Sequence, residues 1–86
     1  ENLYRLQVIN MDGKAHRYAI TVSGVDGIHL IEGNAVQIAA LGTENVNVVL
    51  RADPSTLKRP SMPIIFTIKA DDDASIVREA KSSFLK

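Results

Sequence analysis

Eighty-six residues leave room for one domain, and ten Lys and Arg balance ten Asp and Glu to a formal net charge of zero. The charges are scattered rather than clustered, which argues against a nucleic-acid backbone or an anionic membrane surface as the partner. The absence of cysteine excludes disulfides, thiolate metal sites and cysteine nucleophiles, and no apolar run approaches the ~20 residues that cross a bilayer.

The dominant hydrophobic period is two, in short runs separated by Gly, Pro, Asp and Asn, which is the pattern of a sheet protein. In the first run Tyr4, Leu6 and Val8 share one face, and Asn10-Met11-Asp12-Gly13 ends it with turn residues. A second strand over about 15–23 turns Tyr18, Ile20 and Val22 inward, with Arg17, Ala19, Thr21 and Ser23 opposite. Gly24-Val25-Asp26-Gly27 then supplies residues that tolerate positive φ. A short strand carries Ile28 and Leu30, and Glu32-Gly33-Asn34 turns into another with Val36 and Ile38. Leu41-Gly42-Thr43-Glu44 leads into a strand with Val46, Val48 and Leu50 inward and Val49 outward.

Asp53-Pro54 combines a helix-capping residue with proline at the first helical position, predicting a single helical or 3₁₀ turn that Pro60 and Pro63 prevent from growing. Residues 63–70 form the strongest strand, with Ile64, Phe66 and Ile68 inward and Ile65, Thr67 and Lys69 outward. Asp71-Asp72-Asp73-Ala74 is its hairpin turn, and in the last strand, about 75–83, the alternation weakens around Ile76–Glu79, where a bulge fits. Seven short strands with this turn spacing predict an all-β, immunoglobulin-like antiparallel sandwich. Without the Cys pair and core Trp of antibody domains, it belongs with the fibronectin-like relatives. A core this small supports a stability of about 5 kcal/mol.

Few constellations carry chemistry. His16 and His29 lack the short ligand spacing of a structural metal site and read as surface or strand-edge residues. Met11 and Met62 could join them in a soft copper site, but they lie far apart in sequence and read as packing fillers. Asp71, Asp72 and Asp73 lack the glycine and distant glutamate of a calcium loop and read as a solvated hairpin tip. No serine sits in a Gly-x-Ser-x-Gly elbow, and there is no phosphate-cradling glycine loop, so the expectation is a domain that is not an enzyme.

Several segments, in order, resemble one family. Asn2-Leu3-Tyr4-Arg5-Leu6-Gln7-Val8-Ile9-Asn10 resembles its opening strand, and Tyr18-Ala19-Ile20-Thr21-Val22-Ser23-Gly24-Val25 resembles a strand that usually ends in Gly-Leu. Ala52-Asp53-Pro54, Pro63-Ile64-Ile65-Phe66 and the close Ser75–Leu85, with its Ser-x-Phe ending, complete the match. Leu41-Gly42 departs from it, because the family more often has Pro-Gly there. Together they resemble the C-terminal immunoglobulin-like domain of the FixG family, membrane iron–sulfur proteins of cytochrome oxidase assembly.

The resemblance implies that residues 1–86, which begin with Glu1 rather than methionine, are cut from a longer bacterial inner-membrane protein. It also implies that the domain sits on the periplasmic side. The parent would carry four-iron four-sulfur clusters and take part in electron transfer and copper handling. The domain itself would hold no cofactor, touch the membrane only through the missing upstream region, and serve contacts with protein partners such as oxidase-assembly components. Ile9, Val49 and Ile65, expected to face outward, are the candidate contact positions. Two other readings are an extracytoplasmic adhesion or interaction module in an unrelated parent, and a copper-binding domain using some of Met11, His16, His29 and Met62.

Overall fold

The computed structural model describes residues 1–85. Its strands are β1 (Asn2–Ile9), β2 (His16–Ser23), β3 (His29–Glu32), β4 (Ala35–Ile38), β5 (Thr43–Arg51), β6 (Ser61–Ala70) and β7 (Asp73–Leu85). They form two antiparallel sheets, one ordered β1-β5-β3 and the other β4-β2-β6-β7. This is the seven-stranded sandwich expected from the alternation.

The period-two pattern places the core between the layers. Val8, Val46, Val48 and Leu50 from the first sheet meet Tyr18, Ile20, Ile38, Ile64, Phe66 and Ile68 from the second. Across this seam the rings of Tyr4 and Phe66 pack edge to face, 5.2 Å between centroids and 69° between planes. Every inward assignment of β1, β2, β5 and β6 holds.

The connections follow local chemistry. Asp53 accepts a hydrogen bond from the Ser55 backbone at 2.9 Å and caps the 3₁₀ turn Pro54–Thr56, as its sequence predicts. β6 begins at Ser61, two residues earlier than expected, so Pro63 lies inside the strand rather than at its start. β2 pairs with β6 only from Ile65 onward, so one side of Pro63 has no ladder to complete. In β7 the partner of Lys69 is Val77 and that of Ala70 is Asp73, so residues 74–76 bulge out. The bulge comes just before the weakened alternation at Ile76–Glu79 and shares only Ile76 with it, since Val77, Arg78 and Glu79 pair regularly with β6.

Gly33 and Asn34 do more than turn the chain. They carry it from β3 in one sheet to β4 in the other, and the Asn34 carbonyl accepts the Ile20 N–H at 2.9 Å on arrival.

Candidate functional site

One end of the sandwich is closed. The Asn2 side chain donates to the Leu85 carbonyl at 2.9 Å and accepts the Leu85 N–H at 3.1 Å, while the Tyr4 hydroxyl donates to the Ser83 carbonyl at 2.7 Å. These bonds tie β1 to β7, the edge strands of the two sheets. Burial raises the Tyr4 phenol above its ordinary range.

At the opposite end β1 and β7 part, leaving a mainly apolar groove of about 420 Å³. Val8, Ile9, Ile68, Ile76 and Ala80 line it, and Asn10, Asp12, Tyr18 and Arg78 bring polar groups to its edge. Arg78 shares the parity of Ile76 and Ala80, so it occupies a position that would face the core in a closed sandwich.

The turns at this end are fastened by Asn10, which is fully buried. Its Nδ2 donates to the carbonyls of Lys14 at 2.9 Å, Ala39 at 3.1 Å and Ile38 at 3.2 Å. Its Oδ1 accepts the Asp12 N–H at 3.0 Å and the Tyr18 hydroxyl at 2.9 Å. Such a fully satisfied network offsets the cost of burying an amide. Backbone bonds from Asn10 to Gly42 and from Leu41 to Asp12, at 2.9 and 3.1 Å, join the β1–β2 and β4–β5 turns.

Three large apolar side chains project from the end of β1 and the joined turns: Ile9 at 57 % exposure, Met11 at 80 % and Leu41 at 72 %. Leu41 has φ +57°, in the left-handed region that a bulky residue rarely adopts. The sequence gives little warning of this cluster, because Met11 and Leu41 lie in turns with no periodicity.

Behind the turns lies His16. It was expected at the surface, yet its side chain is fully enclosed. Its Nε2 lies 2.6 Å from Asp12 Oδ2 and its Nδ1 2.7 Å from Asp72 Oδ1. The hydrogen bond with Asp12, then that with Asp72, raises the imidazole above its ordinary value. The same bonds hold both carboxyls low, with Gly13 N–H adding to the effect at Asp12. One signal was available in the sequence: His16 shares the parity of Tyr18, Ile20 and Val22 and therefore faces inward.

The other candidate positions are spread out. Ile9 and Val49 belong to the sheet of β1, β5 and β3, whereas Ile65 belongs to the other sheet, so the three do not form one surface. Val49 is half-buried beside Leu3 and Glu32, and Ile65 half-buried between Ser23 and Lys81. The suggested copper ligands do not converge either. Both His16 nitrogens are engaged by carboxylates, and Met62 pairs with Phe84 near the closed end, away from Met11. Met11 is exposed rather than a packing filler, while Met62 does pack on the core. The tip at Asp71 and Asp72 is exposed as expected, but Asp72 also reaches back to His16.

Among the described residues, no three His, Cys, Asp or Glu side chains are grouped to hold a metal ion, and no helix is long and apolar enough to cross a membrane. With no cysteine, the chain has no thiolate ligands for an iron–sulfur cluster.

No curated protein matches the chain. A solved FixG-related protein from Vibrio parahaemolyticus is similar to it, with 26 % identity and a TM-score of 0.89 over 99 % of this chain and 77 % of that one. Residues 1–86 also match the family model described as "IG-like fold at C-terminal of FixG", FixG being a candidate oxidoreductase. With the full length matched and the same two-sheet fold in a FixG-related structure, the chain belongs to the FixG C-terminal immunoglobulin-like domain family.

Proposed function

We propose that this domain is the non-catalytic contact module of a FixG-like membrane iron–sulfur protein, presented on the periplasmic side of the inner membrane. There it engages protein components of cytochrome oxidase assembly, while electron transfer and copper handling belong to cluster-bearing parts of the parent. Family membership supports the parent.

The observation that carries the contact role is the open end of the sandwich. Ile9 at the end of β1 and Met11 and Leu41 on the firmly bonded turns stand exposed beside an apolar groove. Clustered exposed apolar groups on a rigid support are the usual mark of a docking surface. A strained leucine held outward adds to the argument, since backbone strain tends to persist at functional positions.

The test is made in the full-length parent within its bacterium. Ile9→Asp combined with Leu41→Asp should leave the fold unchanged by circular dichroism, lower crosslinking to oxidase-assembly proteins, and reduce the yield of mature oxidase. Ile65→Glu, on the outer face of the other sheet, should shift stability by no more than about 1 kcal/mol and leave both readouts alone. If the double variant assembles oxidase normally, the open end is not the contact. Loss with Ile65→Glu instead would move the contact to the opposite sheet.

A further inference from the structure

His16 sits where three parts of the chain meet: the β1–β2 turn, the start of β2, and the β6–β7 hairpin turn. Ionised Asp12 and Asp72 can only accept hydrogen bonds. A neutral imidazole has one N–H, so only the doubly protonated ring can satisfy both contacts. The two carboxylates cover both ring nitrogens, so a ring that loses one N–H leaves one carboxylate without its donor.

The groups facing this ring come from each neighbouring element. The β1–β2 turn supplies Asp12 and Lys14, whose Nζ lies 3.8 Å from Asp72 Oδ2. The hairpin supplies Asp72 in contact and Asp73 nearby, and Asp71 pairs with Arg17 of β2 at 3.0 Å. The Tyr18 ring packs edge to face on His16 at 5.9 Å, and Arg78 of β7 acts on Tyr18. On β4 the neighbour is apolar Ile38.

We propose that His16 is a proton-dependent latch: as the imidazolium it ties the β6–β7 hairpin turn to the β1–β2 turn, and on losing a proton it keeps Asp12 and releases Asp72. The asymmetry follows from what else holds each turn. Asp12 is fixed independently, its N–H on Asn10, its carbonyl accepting from Leu41 and its Oδ1 accepting from Gly13. Among the described residues, the hairpin tip is otherwise tied to the rest of the fold by the Asp71 N–H bond to the Arg17 carbonyl and two exposed ion pairs, which contribute little, while the Ser75 bonds to Asp73 lie within the hairpin.

Releasing the tip loosens the start of β7, where residues 74–76 already bulge and Ile76 and Arg78 form a wall of the groove. The latch therefore sets the shape of the groove whatever occupies it, and it stands independently of the oxidase-assembly reading. Because bonding in the fold raises the imidazole, the stabilisation is complete below the unfolded-state value of about 6.5 and is lost as pH rises through the higher folded value.

The test follows ring and backbone resonances of the 86-residue chain by NMR between pH 5 and 9. Below the transition His16 should show two slowly exchanging ring N–H protons, and it should titrate above the ordinary imidazole range. Amide protection factors at Asp71–Asp73 should fall by tenfold or more with the same midpoint, while those of Val48 and Phe66 stay constant.

Asp72→Asn should lower the His16 midpoint by roughly one unit and leave the tip equally protected on both sides of it. This variant keeps the side-chain shape, so the test survives even if His16→Gln fails to fold. A single ring N–H at pH 6, or a titration with unchanged protection at the tip, would overturn the latch.

Discussion

Replacing Phe66 with alanine is expected to remove most of the chain's stability, leaving about 0–2 kcal/mol at 25 °C. Phe66 is fully buried at the middle of β6, the strand flanked by β2 and β7 in the four-stranded sheet. Its ring also spans the seam to Tyr4 of the other sheet, so one side chain links the two layers. Truncating such a phenylalanine costs about 3–5 kcal/mol, against a total of about 5 kcal/mol for a domain this small. Urea denaturation followed by far-UV circular dichroism measures the difference directly. A loss below about 1.5 kcal/mol would show that neighbouring side chains close over the cavity and that the seam does not depend on this ring.

The faces of the strands were legible in the sequence because alternation is local. Tyr4, Leu6 and Val8, or Ile64, Phe66 and Ile68, need only their neighbours in the chain to declare which side is buried. The capped turn at Asp53-Pro54 was legible for the same reason, whereas the weak alternation at Ile76–Glu79 pointed to a bulge that the structure puts slightly earlier, at residues 74–76.

Facts that depend on pairing between distant segments were not legible. Nothing local says that β3 and β4, separated by Gly33 and Asn34, belong to opposite sheets. Parity indicated that Ile9, Val49 and Ile65 point outward, but not that Ile65 lies on the other sheet. His16 was misread because Asp72 is 56 positions away, and a histidine without nearby ligands resembles a surface residue. Parity on β2 would have corrected that reading. The family resemblance supplied what pattern could not, since a sandwich fold alone does not select a function.

The crossing between sheets at Gly33 gives the second large expected effect: Gly33→Ala should destabilise the chain by about 3 kcal/mol. Two costs combine there. The residue has φ +84°, a conformation that costs an L side chain roughly 1–2 kcal/mol. A Cβ would also stand 2.4 Å from the Asn47 carbonyl oxygen and 3.0 Å from Val48 Cα, both backbone atoms of β5. β5 lies between β1 and β3, so it cannot retreat without disturbing two ladders.

Two other glycines separate the costs. Gly27 has φ +74° but open space around its Cβ position, so Gly27→Ala carries the conformational cost alone, roughly 1–2 kcal/mol. Gly13 has neither a positive φ nor a neighbour within 4 Å, so Gly13→Ala should be neutral or stabilising by up to about 1 kcal/mol. Thermal and urea unfolding of the three variants should therefore rank Gly33→Ala well below Gly27→Ala, and Gly27→Ala below Gly13→Ala. Equal losses at Gly33 and Gly27 would mean that the close approach of the crossover to β5 relaxes freely. The two-residue passage between sheets would then be held by its backbone conformation alone, without the steric fit against Asn47 and Val48.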